Sequence, residues 1–374
     1  MTSILKKTAL IAIDWGTSNF RAFMLDHAGN ILESRFAKCG LLHIRNKDFY
    51  GKLQEQIGDH LATHYDIPII MSGMVGSRQG WEEVPYLNCP IELETLARHL
   101  YPIKTRQNAW IVPGIRIDYP DGRVDVMRGE ETQILGSQTF CNSETTADSK
   151  NDIQTLQLFC LPGTHSKWAW IQEGKLDHFY TFMTGEIFNL LFKQSILGKH
   201  IKRVYSNVKA FYRGLEWAER PEHFMSQLFQ VRTQMLSGNL VMEDIHSFLS
   251  GLVIGHEVID ILRTVLTTGV LPARTKLTQT TKEEHPCASL GQLPWEKSFT
   301  QSAKLLPCIK NTASVHIIAN SHISKFYAKA LVHYGMKVTL LNADQVSAQG
   351  IFKIASLAGL IKTPTIHEDV SSCQ

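Results

Sequence analysis

The chain lacks the cysteine pairs that staple small secreted domains or hold zinc. Its seven cysteines are scattered, odd in number and never arranged as C-x-x-C, which argues against a disulfide framework and a cysteine zinc site. The formal net charge is only +3 over 374 residues, too small for a nucleic-acid or membrane-binding surface. We therefore expect a cytoplasmic protein that binds a small molecule, with no nucleic-acid partner and no membrane contact, and with a homo-oligomer left open.

Long apolar runs and the common phosphate loops are also missing. No run approaches the roughly 18 apolar residues that span a bilayer, and the first apolar stretch stops at Asp14, too short for a signal peptide. The chain contains neither a Walker A sequence nor G-x-G-x-x-G. His60 and His64 lack the glutamate and third ligand of a zinc-protease motif, and we expect them on a solvated helix face.

The chain is long enough for two domains, each with its own core. A strand running into Asp14 and a return strand carrying Arg21 are predicted within 10–25, and a third strand at 31–36. The helix 46–65 follows, in which apolar residues recur every four positions. The order continues as strand, helix, strand and helix to residue 140. A polar stretch at 141–152 then precedes a restart of the same pattern.

The second half repeats the opening meander of three strands. Its strands are predicted within 155–182, and Thr184 is expected to cap the next helix. The stretch 242–266 is predicted to be mostly helical. Helix and strand signals then weaken, and 269–311 has no sustained period, which predicts a loop or insertion. A strand at 314–319, a helix, a strand at 337–341 and a helix at 344–360 are predicted to follow. The predicted domains are therefore 1–145 and 146–374.

Each meander has a glycine-threonine turn between its first two strands. In the first, Asp14 ends a strand and Gly16 and Thr17 follow; in the second, the turn is Gly163 and Thr164. Glycine lets the backbone approach a phosphate and adopt positive φ, threonine adds a donor, and a carboxylate at a strand end can hold a hydrated metal. Either turn alone fits an ordinary hairpin, but two at matching places predict a polyphosphate clamped between two domains.

Four stretches together resemble the 2-dehydro-3-deoxygalactonokinase family: IAIDWGTSNFRAF, MVGSRQGWEEVPYLNCP, MRGEETQILG and LPGTHSKW. The first is typical of the whole actin-like sugar-kinase superfamily, whereas SRQGW and PGTHSKW are specific to this family. The resemblance implies an α/β fold of two actin-like (ribonuclease H-like) ATPase domains with an interdomain cleft. It implies phosphorylation of 2-dehydro-3-deoxy-D-galactonate at the 6-hydroxyl by ATP with Mg²⁺, in galactonate catabolism. A kinase for another sugar and a non-catalytic nucleotide sensor are the alternatives.

The resemblance also implies roles for individual residues. Asp14 would hold hydrated Mg²⁺, and Glu130, after a glycine at a helix start, would be the catalytic base, with Glu131 and Glu186 as alternatives. Glutamates at this position are also favoured by the helix dipole alone. The residues expected to bind phosphate or nucleotide are Gly16, Thr17, Ser18, Gly163, Thr164, Lys167, Ser250, Gly251, Ala319 and Asn320.

A sugar acid needs an arginine for its carboxylate and neutral groups for its hydroxyls. The loop 72–90 contains both, although a packed surface loop is the alternative. Arg21, on the return strand of the first turn, is expected to reach the phosphate or the acid unless it is a surface arginine. The expected substrate-binding residues are Arg21, Ser77, Arg78, Gln79, Trp81, Glu83 and Tyr86.

Overall fold

The computed structural model describes residues 7–63, 66–141, 157–267, 314–320 and 322–361. The predicted insertion 269–311, the predicted domain boundary at residues 145 and 146, and His64 lie outside these ranges.

The strands are short and are spread along the whole described chain. In chain order, β1 to β14 are Leu10–Trp15, Phe20–Leu25, Ile31–Ala37, Ile69–Ser72, Leu87–Asn88, Tyr101–Pro102, Ala109–Ile111, Ile115–Asp118, Val124–Met127, Gln157–Leu161, Ser166–Gln172, Lys175–Phe182, Ser314–Ile318 and Lys337–Leu341.

Helices follow the strands in both halves. In chain order, α1 to α10 are Phe49–Thr63, Leu93–Arg98, Glu130–Gly136, Gln138–Cys141, Thr184–Gln194, Val208–Ala218, Phe224–Leu236, Ile245–Thr267, Ile323–His333 and Ala343–Leu357.

The two larger sheets have the same strand order. One is β3-β2-β1-β4-β7-β6 and the other is β12-β11-β10-β13-β14. In each sheet the three strands of the meander lie in reverse chain order from one edge, and strands from later in the chain come next. β1 pairs antiparallel with β2 but parallel with β4, and β10 pairs parallel with β13. This repeated order confirms the predicted α/β fold with two actin-like sheets.

Contacts divide the chain into two compact units. The first unit comprises the described residues of Met1–Thr155, Ala169–Tyr180 and Leu341–Gln374; the second comprises those of Leu156–Trp168 and Thr181–Leu340. The last helix, α10, therefore packs in the first unit, where it contacts β1 and α3.

The first unit is built around β1, which is buried along its whole length. A continuous apolar strand of this kind is expected at the centre of a sheet covered on both faces. Trp15 at its end packs edge-on against Phe20 and Phe49, with ring centroids 4.9 and 5.6 Å away. Fully burying each of these phenylalanines contributes about 2–3 kcal/mol.

The second unit is held together by a close helix crossing. Gly214 of α6 and Gly251 of α8 each lie against the backbone of the other helix, where a Cβ atom would overlap it.

The segment Met242–Thr264 is apolar and long enough to cross a membrane by length and composition, so the expectation of no such run is wrong. In the structure, 78% of its apolar window is buried, as in a core helix.

Several elements were missed by the sequence patterns. The strands β5, β8 and β9 form a third, small sheet, and their two to four residues are too few for a periodic signal. The helices α6 and α7 were also not predicted. His60 is not solvated but 1% exposed, with Nε2 3.2 Å from Glu33.

Thr184 is the first residue of α5 rather than its cap. The cap position is Met183, without a side-chain capping bond, because the Thr184 hydroxyl hydrogen-bonds the buried carboxylate of Glu257 instead.

Candidate active site

In the first glycine-threonine turn, residues 16–19, backbone carbonyls accept hydrogen bonds, whereas two backbone amides have no backbone acceptor among the described residues. The backbone carbonyls of residues 16–18 accept hydrogen bonds of 3.0–3.1 Å from the amides of residues 40–42. Within the described ranges, the amides of Thr17 and Ser18 have no backbone acceptor, and both residues are exposed. Open amides at a tight turn form a concavity suited to an anion, as the sequence predicts for phosphate.

This turn depends on a glycine that sequence reasoning missed. A Cβ atom on Gly40 would overlap the backbone of Thr17 and Ser18. The segment is fixed from behind, because the indole of Trp15 donates a 3.1 Å hydrogen bond to the carbonyl of Cys39.

Glycine in the two turns was expected to allow positive φ, and this is wrong for both Gly16 and Gly163. Their nearest Cβ contacts would be 3.8 and 3.7 Å, so neither is required by its protein neighbours. The described residues around these two positions therefore leave room for a side chain.

Asp14 lies at the end of β1, directly opposite Arg21 on β2. The Asp14 side chain is 3.4 Å from the Arg21 guanidinium, which also contacts Asp344 of α10 at 2.9 Å. Burial raises the pKa of Asp14, Arg21 opposes the rise, and the charges of Glu130 and Asp344 add to it. Asp14 is therefore a buried carboxylate whose negative charge one arginine offsets only in part.

The helix α3, which begins at Glu130, starts where two backbones touch. Gly129 and Gly73 have φ values of 111° and 101°, and a Cβ on Gly129 would lie 3.1 Å from the Cα of Gly73. A Cβ on Gly73 would lie 2.8 Å from the carbonyl oxygen of Trp15 and 3.4 Å from Asp14. Side chains are excluded at both positions, so the start of α3 can approach the strand end that carries Asp14.

The two adjacent glutamates of α3 have different surroundings. Glu131 is fully buried and accepts hydrogen bonds from the Gly129 amide at 2.7 Å and the Thr132 hydroxyl at 3.2 Å. Burial, followed by the charge of Glu130, raises the pKa of Glu131 to about 8. Glu130 is partly exposed, and its carboxylate accepts a 3.1 Å hydrogen bond from the amide of Arg128. Of the two, Glu130 is the one that solvent reaches.

The predicted sugar-acid loop folds back on itself through backbone hydrogen bonds. The amides of Gly80, Trp81 and Val84 donate to the carbonyls of Ser77, Val75 and Gly76 at 2.8–3.0 Å.

Its predicted substrate-binding side chains differ in exposure. Trp81 packs against the core, stacked on Phe49 at 6.1 Å, so the structure gives it a packing role. The Ser77 hydroxyl is buried without a partner among the described residues. The exposed members of the predicted set are Arg78, Gln79, Glu83 and Tyr86.

In the second unit, the second turn packs against the start of α5. A Cβ on Gly185 would overlap the carbonyl oxygen of Gly163, and the Glu186 amide donates to the Thr164 carbonyl at 3.0 Å. Gly185 therefore allows close backbone packing against the second turn, as Gly40 does against the first. The Glu186 carboxylate contacts the imidazole of His165 at 2.6 Å, which places Glu186 beside the second turn.

Lys167 follows the second turn on β11 and is 6% exposed. Its ammonium lies 3.5 Å from the carbonyl oxygen of His165. Because its ammonium lies close to the turn that precedes it, Lys167 supplies positive charge at that turn.

A buried carboxylate supports the strand that follows this turn. Glu257 of α8 is 3% exposed and accepts 2.7 Å hydrogen bonds from the Trp168 indole and the Tyr327 hydroxyl. The hydroxyls of Ser166 and Thr184 also hydrogen-bond it. Four side-chain donors from β11, α5 and α9 thus hydrogen-bond the carboxyl group of Glu257. A buried carboxylate is costly unless its oxygens are hydrogen-bonded.

Comparison with known proteins identifies the family of this site. The model of the 2-keto-3-deoxy-galactonokinase family matches residues 14–284. The chain belongs to this family. It is 36% identical over 250 residues to the 2-dehydro-3-deoxygalactonokinase of Escherichia coli K12, covering 66% of this chain and 78% of that protein. A Rhizobium meliloti protein assigned the same activity is 32% identical over 253 residues, with the same coverage.

A solved structure supports the family assignment. A crystal structure from Sinorhizobium meliloti, assigned as a 2-dehydro-3-deoxygalactonokinase, has 26% sequence identity and a TM-score of 0.70. The match covers 92% of this chain and 98% of that one. The family predicted from the four sequence stretches is therefore confirmed.

In this 2-keto-3-deoxy-galactonokinase family member, the donor set fits a weakly held magnesium ion. Among the described residues, no group of three or more histidine, cysteine, aspartate or glutamate side chains forms a metal cage. Mg²⁺ in kinases is bound through one or two carboxylates, waters and substrate phosphates, and so needs no such cage. Asp14, with its pKa raised by burial and by neighbouring carboxylates, has the excess negative charge that a cation would offset.

The adenosine candidates of the family site stay predictions. Gly251 lies where α8 crosses α6. This close packing accounts for the glycine without a ligand. Ala319 and Asn320 follow β13, partly buried and exposed respectively.

The supporting glycines share a signal that the sequence contains. Gly40 and Gly185 each lie three residues after the third strand of a meander, after Ala37 and Phe182. Comparing the two meanders position by position would have found them. Asp344 has no such signal, since it lies 323 positions from Arg21.

Proposed function

We propose that this chain transfers the γ-phosphate of ATP to the 6-hydroxyl of 2-dehydro-3-deoxy-D-galactonate. The observation that carries the proposal is the packing of Gly129, next to Glu130, against Gly73, which lies beside Asp14 and the turn with open amides. A partly exposed carboxylate for the hydroxyl proton and a buried one for a metal are what phosphoryl transfer requires. The activity named for the relatives at 36% and 32% identity is the same reaction.

In this proposal Glu130 accepts the proton of the 6-hydroxyl as the hydroxyl oxygen bonds to the γ-phosphorus of ATP. The bond from that phosphorus to the bridging oxygen breaks, and ADP leaves. The Arg128 amide holds the carboxylate of Glu130 in place. Glu131 does not compete for this role, because its carboxyl group is buried and bonded to its own loop. The proton acceptor is therefore kept partly exposed and fixed at the start of α3.

Asp14 would hold the magnesium ion through water. Bound Mg²⁺ neutralises phosphate charge and orients the transferred group. Arg21, held by Asp344, adds a fixed positive charge beside Asp14 that suits a phosphate or the carboxylate of the sugar acid.

We also propose that both turns bind phosphate groups of ATP, through Gly16, Thr17 and Ser18 in the first unit and through Gly163, Thr164 and Lys167 in the second. Open amides at the first turn and the buried lysine after the second support it. A crystal complex with a non-hydrolysable ATP analogue tests this directly. Phosphate contacts to only one turn would overturn this part of the proposal.

The reaction itself is tested by following ADP release from MgATP with a panel of sugar acids. We expect ADP with 2-dehydro-3-deoxy-D-galactonate and a phosphorylated product at the 6-position by NMR. ADP release that is equal without any sugar would overturn the proposal. Release that is fastest with another sugar acid would keep the kinase but change its substrate.

We further propose a cytoplasmic location. The described cysteines Cys39, Cys89 and Cys160 are free thiols, as is usual in a reducing compartment.

A further inference from the structure

A buried arginine lies beside the proposed base and has no role yet. Arg128 is 7% exposed and occupies the position between β9 and the start of α3. Its Nη2 donates a 2.7 Å hydrogen bond to the carbonyl of Val84. Its Nε and Nη1 are buried and have no hydrogen-bond partner among the described residues. Arg128 is thus a buried cation with only part of its donors used.

Packing alone does not explain an arginine at this position. Unmade hydrogen bonds of a buried donor cost stability, and an apolar side chain of similar length would avoid that cost. The charge of Arg128 opposes the rise in the pKa of the buried carboxyl group of Glu131. This attraction offsets part of the cost of burying Arg128. The residue must therefore do something that an apolar side chain cannot do.

A guanidinium is planar, and it can stack on a ring while it donates to a carbonyl. Arg128 does both within one loop. Its charge lies 4.3 Å from the centroid of the Tyr86 ring, and its Nη2 holds Val84 two residues earlier. A Cβ on Gly76, at the start of the same loop, would lie 2.8 Å from Nη1. Arg128 therefore contacts both ends of the loop 75–86.

The same residue is bonded to the proposed base. The backbone amide of Arg128 donates to the carboxylate of Glu130 at 3.1 Å. The side chain and the backbone of one residue thus reach the sugar-acid loop and the proton acceptor respectively. The Tyr86 ring also packs close to Gly114, where an added Cβ would lie 2.9 Å from it.

We propose that Arg128 is a positioning residue that holds the loop 75–86 in register with Glu130, so that the substrate hydroxyl meets the base. The proposal rests on the kinase function proposed above. It assigns no contact between Arg128 and substrate, because its free nitrogens are buried.

The kinetic test compares Arg128→Met with Arg123→Met. Arg123 is a matched control, because its guanidinium also lies over a tyrosine ring, Tyr119, at 4.8 Å, but it is exposed on the same hairpin. We expect Arg128→Met to raise KM for the sugar acid at least tenfold and to lower kcat at least tenfold, with KM for ATP unchanged. Arg123→Met is expected to have wild-type values. Wild-type kcat and sugar-acid KM in Arg128→Met would overturn the proposal.

Two more variants separate positioning from a general loss of structure. Arg128→Lys keeps the charge and one donor but not the plane, and is expected to recover part of the lost kcat. Tyr86→Ala removes the ring on which Arg128 stacks, so adding it to Arg128→Met should cost little more than the worse single change. Fully additive effects would show that the two residues act independently and would contradict the proposal.

Hydrogen exchange tests the link without relying on activity. The amides of Trp81 and Val84, bonded to carbonyls of the same loop, should exchange at least tenfold faster in Arg128→Met and unchanged in Arg123→Met. Unchanged exchange in Arg128→Met would overturn the proposal. If wild type phosphorylates no sugar acid while the exchange difference is present, the kinase function fails and the structural link stands.

Discussion

The guanidinium of Arg21 lies 2.9 Å from the carboxylate of Asp344, at the start of the last described helix. The same guanidinium is 3.4 Å from Asp14. Arg21 is thus shared between two carboxylates, and Asp344 limits how much of its charge is given to Asp14.

Replacing Asp344 should weaken the binding of Mg²⁺ at Asp14. In Asp344→Asn, the Arg21 charge is free to neutralise Asp14, so we expect the Mg²⁺ concentration for half-maximal activity to rise several-fold. Steady-state rates over a magnesium titration measure this. Asp121→Asn, an exposed aspartate paired with Arg123, serves as the control, and an unchanged Mg²⁺ requirement in Asp344→Asn would contradict the prediction.

Glu130→Gln should lower kcat by about 10² or more, because the amide cannot accept the hydroxyl proton. ATP affinity should be unchanged, since the amide keeps the size of the side chain. Initial rates and ATP binding by calorimetry measure the two effects. Turnover close to wild type would show that Glu130 is not the base.

Glu131 should make stability depend on pH. Its pKa is about 8 in the folded chain against an ordinary value of 4.5, so the folded state binds the proton more tightly than the unfolded state. This contribution is complete below pH 4.5 and is lost as pH rises through about 8. Urea unfolding should show the wild type losing stability across this range, with a flatter profile in Glu131→Gln. Identical profiles would show that Glu131 is ionised throughout.

The glycines of the first turn should separate folding from binding. Gly40→Ala places a Cβ into the turn backbone and should cost about 1–3 kcal/mol of stability. Gly16→Ala meets nothing closer than 3.8 Å, so it should unfold like the wild type but bind ATP more weakly. Thermal unfolding and ATP titration distinguish the two. Gly58→Ala, a helical glycine with open space around it, is the control and should keep ATP binding.

Arg78 is the exposed arginine of the sugar-acid loop. Arg78→Ala should raise KM for the sugar acid several-fold and leave KM for ATP unchanged, because the lost charge faces the substrate's carboxylate in our proposal. Steady-state kinetics with each substrate varied in turn provide the measurement. An unchanged sugar-acid KM would remove Arg78 from the pocket.

Much of the fold was predictable because its signals are local. The strands around Asp14 and around Gly163 were predicted, since buried strands and glycine turns leave their pattern in consecutive positions. The small sheet that contains Val124–Met127 was not, because its strands are too short for periodicity. Trp81 was expected in a pocket, yet an indole at that position also fits the core that it joins.

The sequence by itself determined the family, the two meanders and the turns that follow their first strands. Those features depend on hydrogen bonding and apolar spacing among neighbours in the chain. Only the tertiary structure decided that Asp344 holds Arg21 and that Arg128 contacts both the loop 75–86 and Glu130. Each of these contacts depends on close packing between residues that are distant in sequence, and such packing leaves no periodic trace along the chain.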